Sequence, residues 1–191
     1  VIKEERARVM PRVKTLRKRL QGLKFFINCG TTRAYHLPHM LVDDFGMELV
    51  GLAPFEFDET YVEDLENLLQ LTGNRDFMVN VADSQTVEAV NYLRKLDVDL
   101  YLGHRGAQGY IFKAGIPGMR VGAPFPELHG LRADKNYGLQ MGFEGVVSYG
   151  RYLSKVVNNP SFSEKLAAHT KLPFKDSWYE QDPSINLVSP M

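Results

Sequence analysis

Four consecutive residues, Gly30-Thr31-Thr32-Arg33, combine groups able to hold an anion: a close-approaching backbone, two hydroxyls and a forked, permanently charged guanidinium. They follow an apolar run, Phe25-Phe26-Ile27, that reads as a strand buried on both faces. An anion, or the electron-rich face of a cofactor, is the natural guest of such a turn. An ordinary strand-to-helix turn with threonine caps accounts for the same residues. His36 and His39, three residues apart, hint at a metal, yet without a third ligand nearby they fit surface or capping groups. A second candidate, His104-Arg105-Gly106, follows another apolar run that ends in Gly103. Cys29, the single cysteine, is most simply a small buried hydrophobe.

The elements that must position these residues follow from periodicity. Val9, Val13, Leu16 and Leu20 form one helical stripe over residues 1–21, with Pro11 set to kink or divide it. Lys14, Arg17, Lys18 and Arg19 read as its solvated face, and Gln21-Gly22 as its end. Beyond the first turn, a helix whose first turn holds Pro38 buries Leu37, Met40, Leu41 and Phe45 and stops at Gly46. Met47–Ala53 is a second strand, closed by Pro54. Thr60 and Glu63 make a capping box for the next helix. Phe77–Val81 is a third strand, and Asp83 or Ser84 caps a helix burying Val87, Val90, Leu93 and Leu96.

Asp99–Gly103 and Met119–Gly122 complete the strands, with a short helix through Ile111 and Phe112 between them. Pro124 to Gln140 is a long irregular loop holding Phe125, Glu127, His129, Arg132 and Lys135, a length more often functional than idle. A helix over about 143–158 then carries Val146, Val147, Leu153, Val156 and Val157 on one face, with Gly142, Gly145 and Gly150 allowing close approach. Strands alternating with helices, without hairpin signals, predict an α/β, Rossmann-like three-layer domain. Its parallel sheet has about five strands, with helices on both faces. Ligands of such a sheet lie beyond the carboxyl ends of its strands, where both candidate turns fall. Neither the G-x-G-x-x-G fingerprint nor the Gly-Lys-Ser/Thr phosphate loop is present. Residues 1–159 are expected to form this domain. Residues 160–191, with Trp178, Tyr179 and Pro160, Pro173, Pro183 and Pro190, read as an extension packing on the domain or a partner.

The bulk numbers narrow the function. The 191 residues are 44% hydrophobic, enough for one full core. Lys+Arg and Asp+Glu both number 23, and a net charge of zero argues against a general nucleic-acid binder. No apolar run is long enough for a bilayer, and no signal peptide opens the sequence. One cysteine excludes an internal disulfide and points to the cytoplasm; it also cannot build a four-thiolate cluster site. Val1 falls inside a helical pattern, so the sequence is expected to be a piece of a longer protein.

The order of these landmarks resembles the last third of the α-type chain of nitrogenase component 1 and its relatives. Gly30, Arg33 and His36 stand where the family has a glycine turn with an arginine and a histidine. Gly46-Met47-Glu48-Leu49-Val50-Gly51 is similar to its Leu-Gly-Met-Glu-Val-Val segment. Asp99-Leu100, Tyr110-Ile111-Phe112, Gly115-Ile116-Pro117, Tyr137-Gly138, Gly142-Phe143-Glu144-Gly145 and Asn158-Asn159-Pro160 follow in family order. The resemblance implies one wall of a metallocluster pocket, with Gly30, Thr31, Thr32, Arg33, His36, His104 and Arg105 facing an iron–sulfur-type cofactor. The ligand cysteines would lie outside this chain, and no cluster is expected on the fragment itself. A β-type subunit and an ATP-driven reductase are the implied partners. Two positions depart from the pattern. Gly122 stands near the family's metal-binding histidine, with His129 the nearest histidine, and Ala107 near its cofactor lysine. The resemblance thus points to a related reductase with another substrate, or to a scaffold for cofactor assembly, rather than to a standard dinitrogen reductase. An unrelated Rossmann-like domain binding a small anion or nucleotide is the remaining alternative.

Overall fold

The computed structural model describes residues 1–56, 59–73, 75–81, 86–103, 111–120, 142–158 and 161–169. In chain order these form α1 (Ile2–Leu20), β1 (Lys24–Cys29), α2 (Thr31–His39), β2 (Glu48–Pro54), α3 (Val62–Leu71) and β3 (Met78–Val79). There follow α4 (Thr86–Lys95), β4 (Leu100–Gly103), β5 (Gly118–Arg120), α5 (Gly142–Val157) and α6 (Ser161–His169). A π-helical turn, Met40–Asp44, extends α2, and a 3-10 turn, Glu59–Tyr61, leads into α3. The five strands are all parallel in the order β3-β2-β1-β4-β5, so the strand feeding the first candidate turn is central.

Alternation along β1 divides the core. Phe25, Ile27 and Cys29 join Leu49, Leu52, Leu100 and Leu102 on one face, covered by α1, α2, α3 and α5. Phe26, Ala53 and Tyr101 point to the other, against Ala89, Val90 and Leu93 of α4 and Ile111 and Ile116. The pairing of β1 with β2 slips between Phe25 and Phe26, where Phe26 pairs with Gly51. A Cβ on Gly51 would lie 2.7 Å from the Phe26 ring, so only glycine lets that ring lie flat there. At the far edge β3 spans two residues rather than the expected five, a short edge strand that offers little to template pairing.

Several local expectations change. Pro11 does not divide α1, whose stripe of Val9, Val13, Leu16 and Leu20 is held on the core throughout. Pro38 stands in the last turn of α2, not the first, because the helix already starts at Thr31. Lacking an N–H, Pro38 cannot bond the Ala34 carbonyl, and the chain widens directly afterwards into the π-helical turn. Arg17 leaves the solvated face of α1, its guanidinium donating to the carbonyls of Asp43 and Asp44 at the end of that turn. Thr60 is not the cap of α3: the N-cap is Tyr61, which makes no side-chain cap bond. The Pro124–Gln140 loop, Asp83, Ser84, Gly122, Ala107, Trp178 and Tyr179 lie outside the described residues.

Candidate functional site

The central strand ends at Cys29, and Gly30 caps α2 with φ −53 and ψ 141, making no side-chain cap bond. Its carbonyl accepts from the amides of Arg33 at 3.0 Å and Ala34 at 3.1 Å. The amides of Thr31 and Thr32, the first of the helix, are left without intrahelical partners and point out of its positive end. A Cβ on Gly30 would meet nothing within 4 Å among the described residues, which leave the space over this turn open. The threonines do not act as caps. Thr31 Oγ1 donates to the Glu56 carbonyl at 3.3 Å, tying the turn to the end of β2, while Thr32 is exposed.

Arg33 lies exposed on the first turn of α2, and none of the ion pairs among the described residues involves it. Its charge reaches inward all the same. Burial pushes the Cys29 thiol up to about 12, with the guanidinium opposing that rise. The thiol is therefore protonated at neutral pH and is not poised as a nucleophile. His36 is exposed one turn further along the same face as Arg33, and His39 is half-buried. Among the described residues no group of three His, Cys, Asp or Glu side chains is placed to hold a metal ion. The turn is held in place by Tyr35, fully buried and stacked on Tyr61 at 4.9 Å between ring centres.

The second candidate turn is described up to Gly103; His104 and Arg105 lie outside the described residues. Gly103 pairs with Asn28, so the ends of β4 and β1 lie side by side. That juncture, where the strand order reverses direction about β1, is the switch point at which open α/β sheets place their ligands. Gly103 is required there, since a Cβ would fall 2.2 Å from Cζ and the hydroxyl oxygen of Tyr101.

Sequence reading missed two groups, Tyr101 and Tyr149. Tyr101 on β4 is fully buried, Tyr149 on α5 is 7% exposed, and both hydroxyls lack a hydrogen-bond partner among the described residues. Burial pushes both phenols far up, and the Cys29 thiol adds to the rise in each; at Tyr149, Arg33 opposes it. The two rings belong to the core clusters on opposite faces of the sheet. A tyrosine interrupting the valine stripe of α5 was the available signal.

Comparison with known proteins places this architecture in a class. The family described as nitrogenase component 1 type oxidoreductase matches residues 1–158, and the chain belongs to that family. Among individual relatives, it is 24% identical over 163 residues to the nitrogenase molybdenum-iron protein alpha chain of Methanococcus maripaludis, covering 85% of this chain and 31% of that one. It is 25% identical over 164 residues to the nitrogenase iron-molybdenum cofactor biosynthesis protein NifE of Rhizobium meliloti (strain 1021), covering 86% and 31%. A solved structure of nitrogenase Cp1 at pH 6.5 shares the fold, with a TM-score of 0.67 and 17% identity over 89% of this chain and 35% of that one. The chain thus spans about a third of these relatives' length. Family membership overturns the alternative of an unrelated Rossmann-like domain, and it bears out the resemblance read from the ordered motifs.

Proposed function

We propose that this chain is the cofactor-facing domain of a nitrogenase component 1-type metallocluster oxidoreductase, with the notch over Gly30, Thr31, Thr32 and Arg33 as its cofactor wall. The observation that carries this reading is the open amide-bearing start of α2 at the central strand, beside a guanidinium that no carboxylate of the described residues neutralises. Such donors suit a sulfide-rich, anionic group, because added negative charge meets fixed dipoles and a guanidinium. The donor set fits walls rather than ligands: Cys29 is the single cysteine and is buried, so a four-thiolate set would come from outside this chain. When bound, an iron–sulfur-type cluster supplies electrons in single steps; this chain's residues hold and orient it. His36 serves as a supporting group beside Arg33, and His104 and Arg105 as the second positive wall at the end of β4.

The chemistry of the whole protein, with a β-type subunit and an ATP-driven reductase, belongs to the same proposal, as does a cytoplasmic setting. No helix among the described residues is long and apolar enough to cross a membrane. Similarity to NifE favours one second reading, a scaffold that holds a cofactor during assembly. The two readings separate when the full-length protein is reconstituted with its partner subunit and a reductase: turnover of any substrate excludes a pure scaffold. In the same complex, Arg33→Ala is expected to lower iron retention while circular dichroism stays unchanged; equal iron content would refute the notch as the cluster wall.

A further inference from the structure

At the opposite end of the sheet from the notch, a groove of about 530 Å³ opens between the ends of α1 and α3 and the start of β2. That size falls within the roughly 300–1,000 Å³ of small-molecule sites. Arg17 stands half-buried on its wall and donates through Nη1 alone, to the carbonyls of Asp43 and Asp44. Nε and Nη2, the edge on which a guanidinium takes a carboxylate side-on, make no hydrogen bond to any described residue. Gly46 leaves that edge uncovered, since a Cβ there would stand 2.9 Å from Nη2 and 3.2 Å from Nε. Arg75 and Glu48, also on the wall, pair with each other at 3.3 Å. Asp76 is exposed and enters none of the ion pairs among the described residues, with Arg17 or with any other cation. What remains along the groove is one cationic edge and one carboxylate, not paired with each other.

The floor of the groove is apolar, made by Val42, Met47, Leu49 and Leu71, of which Met47 and Leu49 belong to the core. The C-cap residues of α1 and α3, Gln21 and Thr72, line its sides, so two helix carboxyl ends place their negative partial charge beside it. Those ends and the two carboxylates repel a multiply charged anion such as a phosphate ester. A simple cation would meet Arg17 and Arg75. A small molecule carrying one charge of each sign turns both sets of groups into partners. We infer that the groove is a binding site for an apolar α-amino acid in its zwitterionic form. Its carboxylate takes the Nε–Nη2 edge of Arg17, its ammonium faces Asp76 and the helix ends, and its side chain rests on the apolar floor. The inference is independent of whether a cluster occupies the notch at the other end of the strands.

Calorimetric titration of the full-length protein with three probes tests this. Leucine carries both charges, leucinamide keeps the ammonium without the carboxylate, and isocaproate keeps the carboxylate without the ammonium. Leucine is expected to bind, and each analogue to bind at least about tenfold more weakly, as the loss of one contact between charged groups implies. Arg17→Lys keeps a cation for the Asp43 and Asp44 carbonyls and loses the flat two-donor edge. It should weaken leucine and isocaproate about tenfold and leave leucinamide as in the parent. Asp76→Asn, at an exposed position, should show the reverse pattern, weakening leucine and leucinamide alone. Thermal midpoints without ligand report whether each variant keeps its fold; should Arg17→Lys lose it, the Asp76→Asn pattern decides. The inference is overturned if leucine, valine and methionine give neither heat nor a shift in thermal midpoint. It is equally overturned if the three probes bind the parent alike, or if folded Arg17→Lys or Asp76→Asn binds leucine as tightly as the parent. Arg33→Ala should leave leucine binding unchanged; a loss there would move the amino acid to the notch and overturn the groove as its site.

Discussion

The two ends of the sheet are built to opposite rules. At the amino ends of the strands, polar groups are answered locally. Arg17 closes the carbonyls of the π-helical turn, Asp99 accepts from the Lys24 amide at 2.8 Å, and Lys24 and Asp97 pair at 3.3 Å, as do Arg75 and Glu48. The groove there, about 530 Å³ and lined in part by Arg17, Glu48, Thr72 and Arg75, carries charges of both signs beside each other. At the carboxyl ends, the first amides of α2 have no intrahelical partner, Arg33 is outside the ion pairs of the described residues, and the buried hydroxyls of Tyr35, Tyr101 and Tyr149 lack partners there. One end pairs most of its polar groups within the chain; the other leaves them unpaired among the described residues. Departures from local satisfaction collect where function is expected.

The contrast can be tested in order of effect. Phe25→Ala empties a fully buried site on the strand shared by both ends and is expected to cost about 3–5 kcal/mol, measured by urea denaturation. A smaller loss would show that β1 is not the common spine. Next come the two neighbouring glycines of the strand ends. Gly103→Ala forces a methyl into the Tyr101 ring and should cost about 1–3 kcal/mol, whereas Gly30→Ala enters open space and should stay within about 0.5 kcal/mol. Equal costs would erase the distinction between a packed strand end and an open one.

A third experiment concerns the clasp between α1 and α5. Arg12 and Arg8 bond the Glu144 carboxylate, at 2.6 Å and 2.5 Å for the shortest contacts, and hold its carboxyl at about 2. Because the folded value lies below the ordinary 4.5, the stabilisation is complete above that pH and fades as pH falls towards 2. Glu144→Gln should therefore be less stable than the parent at neutral pH, with the gap closing across that acid window; a constant gap would exclude the ion pairs as its cause. The smallest effect belongs to the satisfied end. Arg75→Ala breaks an exposed pair with Glu48 and should move stability by less than about 1 kcal/mol.

Much of the fold was legible because its strands are continuous apolar runs punctuated by glycine and proline. Phe25–Ile27 and Asp99–Gly103 could be placed as strands of a parallel sheet on that pattern alone, and they fall in β1 and β4 with their ends shifted by one or two residues. The start of α2 was harder: Gly30 caps it without a side-chain bond, so nothing local marked the first turn, and Pro38 was read as that mark. The Thr60–Glu63 pair had the right spacing for a box, yet the 3-10 turn through Tyr61 took over the entry to α3. The place of Arg33 just after the end of the central strand was legible because strand, glycine and helix follow one another in sequence. Tyr101 and Tyr149 were not, since a tyrosine in an apolar run reads as packing until the fold shows which face and which strand end its oxygen meets.

The packing of α1 on α5 has a consequence for how the protein is made. Gly150 brings the two helices close enough that its Cβ position would touch Leu16 and Phe45, and Glu144 reaches across to Arg8 and Arg12. The ribosome delivers these partners at opposite ends of the sheet-bearing unit, on the order of ten seconds apart at ordinary rates of synthesis. Through that interval the Val9–Leu20 stripe waits without its cover, so the nascent chain's most exposed period ends only when α5 emerges and locks beside the helix that came first.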